Sequence, residues 1–416
     1  MSAAEKTTDE AGEPSWDLSF SAVELKESAS LGGDVRIEIA PRTTVLVGKN
    51  GAGKSLVLEE IHAALKRAVS QVGTAEPAPA QFACDVDVMP HSAESFSKLR
   101  YECRWRPRDE EPEVRDASEL PRTTEIDFNV EESCWTSMDR TVSLWRVDDG
   151  IVTYDGGDHA LIPAGWTMLS WLPSRRSRSQ QLVIPGMEHN LPPMAYALTN
   201  LFVSVVRVPA GIPRGDSERE ELALAYPKFI RSGDRFRGLA HRLISWHEQD
   251  RERFDEFVAL GSRIGLFEQV EVKLYRDPDT TRAAHKRDFA SVLVDHTDFG
   301  LLSDGTLRVA EILAWLVFPK LKLLLIEEPE TAVHPGLLSK LFAEIDAYST
   351  DRQIVITTQS PQVVSWADPL ALRLIERHAG KTSVRSLRED EISRVSAYLN
   401  DEGTLGDFVY SGALDG

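Results

Sequence analysis

Gly48-Lys49-Asn50-Gly51-Ala52-Gly53-Lys54-Ser55 follows an apolar run, Thr43 to Val47, and opens a stretch of helical spacing from Lys54 to Ala68. The run reads as a buried strand. Val57, Leu58, Ile61, Ala64 and Leu65 fall on one face of a helix. G-x-x-x-x-G-K-S in that strand–loop–helix setting is a phosphate loop. Phosphate oxygens need several backbone N–H groups aimed inward from one tight turn, and Gly48, Gly51 and Gly53 permit that backbone. Lys49, Asn50 and Ala52 complete the loop whose amides line the site. The helix start adds the positive end of its dipole. Lys54 is expected to reach the β and γ phosphates, and the Ser55 hydroxyl to take a magnesium position.

The second informative stretch is L-K-L-L-L-I-E-E-P-E, residues 321–330. A buried strand here delivers two carboxylates at its end, and in a phosphate-loop fold that strand lies beside the loop. Glu327 is expected to hold the metal, mostly through water. Glu328 is expected to orient and deprotonate an attacking water. Pro329 ends the strand because it has no ladder donor.

The chain has 416 residues, 42% of them hydrophobic, enough for a sizeable core. No apolar run reaches the roughly 18 residues of a membrane span; Ile312 to Phe318 is far too short. Met1 to Pro14 is small, polar and acidic, which reads as a disordered tail rather than a secretion signal. Cys84, Cys103 and Cys134 form neither a disulfide framework nor a metal quartet and read as buried free thiols, consistent with a cytoplasmic protein. The net charge of −19 opposes general coating by nucleic acid. Arg175, Arg176 and Arg178 make the one compact basic cluster, in a Ser-rich loop.

Asp17 to Leu25 and Val35 to Ile39 alternate as half-buried strands do. From Pro77 to Asp158 the chain reads as β-rich and antiparallel, with strands at Leu99–Trp105, Glu125–Val130 and Thr141–Val147. Ala195 to Val208 has mixed character. Pro209 to Glu218 reads as a linker or mobile loop. Phe236 to Leu260 is helical and Val270 to Tyr275 a strand. Thr306–Val317 and Gly336–Tyr348 are helices, Ile354–Thr357 is a buried strand, and Gln362–Trp366 begins another helix. Ala371–Ile375 and Thr382–Leu387 make a closing hairpin. No heptad run points to a long coiled-coil arm.

The phosphate loop, then Leu302-Ser303-Asp304-Gly305-Thr306, then the acidic strand, then Ile354-Val355-Ile356-Thr357-Thr358-Gln359-Ser360-Pro361 resembles, in that order, the heads of ABC-type ATPases. Within them it looks like the stand-alone branch related to RecF, the structural-maintenance-of-chromosomes proteins and the overcoming-lysogenization-defect nucleases. The likeness covers residues 17–75 and 297–378. It implies an α/β P-loop fold: a mixed sheet flanked by helices, with a β-rich and helical insertion over 76–296, a disordered tail at 1–16 and a C-terminal tail at 379–416. It implies ATP and Mg²⁺ as ligands, and a head-to-head homodimer or higher oligomer whose signature segment, through Ser303 and the Gly305 backbone, contacts the γ-phosphate held by the other head. Asp304 stands where many members have glycine. Gln359 occupies the γ-phosphate position where many have histidine; glutamine donates a hydrogen bond but carries no proton. His334, in the segment that would cross the dimer interface, is either a turn residue or a sensor of the partner site. Gln71 and Gln81 are candidates for the magnesium-sensing glutamine, and no aromatic residue can be assigned to adenine.

The expected activity is ATP hydrolysis to ADP and phosphate, in an antiviral-defence ATPase subunit: a dimeric switch controlling a separate effector such as a nuclease, with no membrane partner. Two alternatives stand beside it, a RecF-like repair ATPase that clamps DNA and an ATP-binding scaffold with little turnover. The segment Gly403 to Gly412, aromatic and apolar between glycines, is either a docking element or a packed or disordered terminus.

Overall fold

The computed structural model describes residues 17–70, 80–89, 98–107, 128–136, 142–148, 150–154, 159–162, 166–170, 193–210, 237–275, 289–319, 321–400 and 403–411. Two sheets face each other across helix α1 (Lys54–Val69). One has eight strands in the order β2 (Gly33–Glu38), β1 (Asp17–Ser28), β4 (Gln81–Met89), β5 (Lys98–Pro107), β6 (Phe128–Thr136), β7 (Val142–Asp148), β8 (Ile151–Tyr154) and β9 (His159–Leu161). Every neighbouring pair in it is antiparallel. The other has six strands: β10 (Val205–Val208), β14 (Leu323–Glu327), β15 (Gln353–Thr358), β3 (Thr43–Val47), β16 (Leu372–His378) and β17 (Lys381–Ser386). It is parallel through β16 and closes with the antiparallel β16–β17 hairpin. A three-stranded sheet, β11 (Val270–Tyr275), β12 (Phe289–Val294) and β13 (Thr297–Asp298), leads into a 3₁₀ turn at Phe299–Leu301.

Sequence pattern separates the sheets. Every residue of β14 and β15 is buried, as in a parallel strand covered on both faces. In β4, Phe82, Cys84, Val86 and Val88 are buried while Gln81, Asp85 and Asp87 are not, the alternation of a sheet with one dry face. Further helices among the described residues are α2 (Pro193–Val203), α3 (Arg237–Gln249), α4 (Arg251–Ile264), α5 (Asp304–Leu316), α6 (Pro335–Tyr348), α7 (Pro361–Trp366), α8 (Glu389–Asn400) and α9 (Leu405–Tyr410). One core, with Phe20, Phe82, Tyr101, Trp105 and Phe202, fills the space between the two large sheets. A second, with Phe254, Leu313 and Phe342, covers the other face of the six-stranded sheet. A third joins Val45 and Leu372 to Val364, Val395 and Phe408 of the closing helices.

Gln353 ties the two large sheets together. Its Oε1 accepts from Phe20 N–H at 2.7 Å, and its Nε2 donates to the carbonyls of Phe20 at 2.7 Å and Ala40 at 2.9 Å. All its polar contacts are internal, so the buried amide carries no unmet hydrogen bond.

The helical stretch expected over Phe236–Leu260 is two helices: Asp250 interrupts it and caps α4, accepting from Arg253 N–H. The mixed Ala195–Val208 stretch is the end of α2 followed by β10. β10 is short, and its pattern is shared by helix and strand. Drawn from inside the 76–296 segment, it is nevertheless the edge of the parallel sheet, beside β14. The strand placed at Glu125–Val130 runs from Phe128 to Thr136, carried by buried Val130, Glu132 and Cys134. Glu132 is buried, and its Oε2 accepts from Met168 N–H at 2.5 Å. The three cysteines are buried and free, and burial pushes each thiol up.

Candidate nucleotide site

Register brings the predicted motifs together. Thr358 pairs with Val47 and Glu327 with Thr357, so β14, β15 and β3 end at one level. The loop after each of these strands carries one motif, on the carboxyl edge where open α/β sheets bind ligands.

In the phosphate loop Gly51 and Gly53 adopt positive φ, 77° and 97°. A Cβ on Gly51 would meet nothing, whereas one on Gly53 would lie 2.9 Å from Thr382 Oγ1. Gly48 has a different reason to be glycine: its Cβ would stand 2.4 Å from the Ile375 carbonyl oxygen. The β16–β17 hairpin therefore presses against the back of the loop and dictates two of the three glycines. Gly53 is also the N-cap of α1 and supplies no side-chain cap, so the first amides of α1 are left for an acceptor from outside the helix. Lys54 is buried, and its Nζ donates to the carbonyls of Gly48 at 2.8 Å and Lys49 at 3.2 Å. Burial pulls its ammonium below the ordinary lysine value, while Glu328 and Glu330 oppose that shift. Lys49, Asn50 and Ser55 are exposed, and Ala52 N–H closes the loop on the Lys49 carbonyl at 3.1 Å.

The two acidic residues separate in environment. Glu327 is buried; its Oε1 accepts from Arg207 Nε at 2.6 Å and its Oε2 from Ala210 N–H at 3.3 Å. Glu328 is partly exposed, with φ 39°, and its N–H donates to the Thr357 carbonyl at 2.9 Å. A left-handed backbone at a non-glycine residue costs about 1–2 kcal/mol. That conformation turns the Glu328 side chain out of the strand line. Glu330 follows the turn; its Oε1 accepts from Thr358 Oγ1 at 2.6 Å and Gln359 N–H at 3.2 Å, and its Oε2 is buried without a partner. The Gln359 side chain is exposed.

The signature segment packs against the turn that follows the acidic strand. Ser303 caps α5, its Oγ accepting from Thr306 N–H at 3.1 Å. Ser303 Oγ also lies 2.8 Å from Thr306 Oγ1. With Thr306 as donor there, the serine hydroxyl keeps its own proton for an outside acceptor. Gly305 is required by packing: a Cβ would meet the Ala332 carbonyl oxygen at 2.1 Å. Ala332 belongs to the turn after Glu330 and has φ 61°. His334 caps α6, its Nδ1 accepting from Gly336 N–H at 3.1 Å, which gives it a structural task.

Sequence reasoning missed three arginines. Arg207 binds Glu327 and lies 3.6 Å from Glu59. Arg308 on α5 donates to the carbonyls of Val208, Pro209 and Glu327, tying the signature helix to the acidic strand. Burial pushes its guanidinium down to about 10, against four carboxylates that support its charge. Arg377 donates to the Ser30 carbonyl at 3.1 Å, and its Nη1 lies 3.7 Å from the Cβ position of Gly53. Gln81 sits in the eight-stranded sheet with its Nε2 on Glu102 at 2.9 Å, a contact on β5 rather than on the phosphate loop. Gln71, Arg175, Arg176, Arg178 and residues 211–218 lie outside the described residues.

The loop suits a polyphosphate: an uncapped helix start, two left-handed glycines and a buried lysine converge on one edge. Among the described residues no group of three or more His, Cys, Asp or Glu side chains forms a metal cage. A divalent ion here would therefore share its shell with phosphate oxygens and water, held from the protein side by Ser55 and Glu327. Direct ligation by Glu327 would require Arg207 or Ala210 to release it. Among the described residues no helix is long and apolar enough to cross a membrane.

A family model described as "AAA domain, putative AbiEii toxin, Type IV TA system" matches residues 206–365, from β10 to α7. No curated protein matches the chain in sequence. Solved structures that resemble it include an Smc head bound to the C-winged helix domain of ScpA, at 13% identity and TM-score 0.41, over 90% of this chain and 99% of that one. The SMC head domain from Thermotoga maritima matches at 14% identity and TM-score 0.37, over 89% and 99%. An Smc head with an extended coiled coil, bound to the C-terminal domain of ScpA derived from Pyrococcus furiosus, matches at 13% and 0.41, over 92% and 100%.

Proposed function

We propose that this chain is a P-loop ATPase of the ABC type that binds and hydrolyses ATP at composite sites formed by two heads and uses that cycle as a switch on a separate effector, in bacterial anti-phage defence. The observation that carries the reading is the shared edge: the loops after β3, β14 and β15 bring Lys54, Glu328 and Gln359 to one side of one sheet.

Each residue has a task. Lys54 and the uncapped amides of α1 stabilise charge on the phosphoryl group being transferred. Lys54 leaves the Gly48 and Lys49 carbonyls to do so. Magnesium supplies charge neutralisation between the phosphates, and Ser55 and Glu327 are the protein groups that would hold it. Glu328, turned outward and partly exposed, accepts a proton from water. Gln359 donates to the terminal phosphate, its backbone fixed by Glu330. Ser303 would donate to the phosphate held by a second copy. Arg308 links the signature helix to the acidic strand, so closure of two heads would be felt at Glu327. The type IV toxin–antitoxin wording of the matching family model supports a defence role.

Steady-state phosphate release with ATP and magnesium, wild type beside Glu328→Gln, tests this. The variant is expected to lose about 10²–10⁴-fold in turnover while still binding ATP. Equal activity in the two proteins would remove Glu328 from the mechanism.

A further inference from the structure

β10 lies parallel to β14, with Val205 opposite Leu323 and Arg207 opposite Leu325. Val205, Leu323 and Leu325 belong to the core that α1 covers, so Arg207 and Glu327 are the polar ends of two apolar rows on that face. Both oxygens of the buried Glu327 carboxylate are held from this side. Oε1 accepts from Arg207 Nε at 2.6 Å, and Oε2 from Ala210 N–H, just past β10, at 3.3 Å.

Arg207 reaches further. Its Nη2 lies 3.6 Å from a carboxylate oxygen of Glu59. Glu59 is exposed and stands four residues after Ser55 on α1, so the two share a helix face. One guanidinium thus spans from Glu327 to the face that carries Ser55, the two protein groups assigned above to a divalent ion. A buried carboxylate needs a charged or hydrogen-bonding partner, and here a side chain supplies the cation. A guanidinium and a divalent ion on one carboxylate repel each other, so each disfavours the other. The backbone is fixed on both strands, because Arg308 donates to the carbonyls of Val208, Pro209 and Glu327. What is left to move is the Arg207 side chain, and Glu59 is the carboxylate already beside it.

We propose that Arg207 is the resident cation of the metal position: it holds Glu327 in the nucleotide-free site, yields it to a divalent ion when nucleotide binds, and moves onto Glu59. The proposal rests on the ATPase reading above for the nucleotide that accompanies the ion. The exchange also frees the Ala210 N–H, so filling the site is felt at the end of β10.

Mn²⁺, a paramagnetic substitute for magnesium, is titrated into the full chain with the non-hydrolysable analogue AMPPNP, and bound ion is read by electron paramagnetic resonance. Arg207→Met keeps an apolar stem and removes the competing charge. It is expected to bind Mn²⁺ about 10-fold tighter, the equivalent of one charge-assisted hydrogen bond, although its nucleotide-free denaturation midpoint falls. Arg207→Lys keeps a cation and is expected to stay close to wild type. Glu59→Gln removes the receiving group and is expected to weaken Mn²⁺ binding about 3-fold, the scale of an exposed ion pair. In an Arg207→Met background the Glu59 change is expected to do nothing.

An ion pair with only a structural task gives the opposite sign. Loss of Arg207 would then lower stability and leave Mn²⁺ binding unchanged or weaker, which overturns the proposal. An equal effect of Glu59→Gln with and without Arg207 overturns it too, since Glu59 would then act on the ion directly. So does a wild type that binds no Mn²⁺ with AMPPNP. The ATPase reading fails separately: if wild type binds Mn²⁺ with AMPPNP but releases no phosphate from ATP, that reading is lost, while tighter binding by Arg207→Met still supports the exchange.

Discussion

Among the described residues, the α-helix starts whose caps are defined fall into two groups. Asp250, Ser303, His334 and Thr404 each cap their own helix with a side chain. Gly53 and Ser360, which begin α1 and α7, make no side-chain cap. The two uncapped starts follow adjacent strands, β3 and β15, on the proposed nucleotide edge. An uncapped start leaves N–H groups without acceptors, which costs stability unless an anion or water serves them. The difference teaches where the chain forgoes local stability: where a polyphosphate would supply the acceptors. Ser303 belongs to the first group: its hydroxyl serves its own helix by accepting from Thr306 N–H.

The sharpest way to break that contrast is to remove the lysine from the uncapped start. Lys54→Ala is expected to cut turnover by about 10²–10³-fold. It is also expected to abolish the thermal stabilisation by ATP and magnesium, which at a hundredfold excess over Kd amounts to about 2.7 kcal/mol in wild type. A differential scan with and without nucleotide reads both proteins. A full ATP shift in the variant would mean that nucleotide binds elsewhere.

The next effect comes from α8, whose start is held by a carboxylate. Glu391 is buried and accepts from Arg388 N–H at 2.7 Å and from the guanidiniums of Arg385 and Arg388. Burial opposes its charge, but these hydrogen bonds outweigh it and draw the carboxyl down to about 2. A folded pKa below the unfolded one stabilises the fold above the unfolded value, near 4.5. That contribution is lost as pH falls from there toward 2. Glu391→Gln is expected to cost about 3 kcal/mol at pH 7, because two arginines lose a buried partner. The gap between variant and wild type is expected to narrow steadily in urea melts between pH 4.5 and 2.5. A constant gap over that window would assign the effect to packing.

How much of this was legible depended on distance along the chain. The phosphate loop, the acidic strand and the signature segment are contiguous, and each carries its chemistry with the turn or cap that presents it. Ser303 with Thr306, and His334 before Pro335, are local signals of helix starts. Arg207 was invisible for the opposite reason: it meets Glu327 across 120 residues, from a four-residue strand with no clear period. Gly48 carries a second, hidden requirement, since the Ile375 carbonyl that excludes a Cβ there comes from a hairpin over 300 residues away. The tail from Gly403 was ambiguous until Gly406 met Pro361. β10 falls within the segment that reads as an insertion, because a short strand declares its sheet only through its neighbours.

The smallest effects test the comparison most directly, because they set capped against uncapped serines. Ser303→Ala and Thr404→Ala each remove an acceptor from a helix amide and are expected to cost about 1 kcal/mol in the nucleotide-free protein. Ser360→Ala removes a hydroxyl that caps nothing and is expected to leave the denaturation midpoint unchanged. Turnover separates the first two. Ser303→Ala should also slow hydrolysis if its hydroxyl donates to a phosphate on a second copy, while Thr404→Ala should not. Mixing Ser303→Arg protein with Lys54→Ala protein isolates that point. Each alone is expected to be inactive, and the mixture to regain activity, because a mixed dimer joins an intact phosphate loop to an intact signature segment. A mixture as inactive as its parts would mean that the site does not span two copies, and Ser303 would then be a helix cap and nothing more.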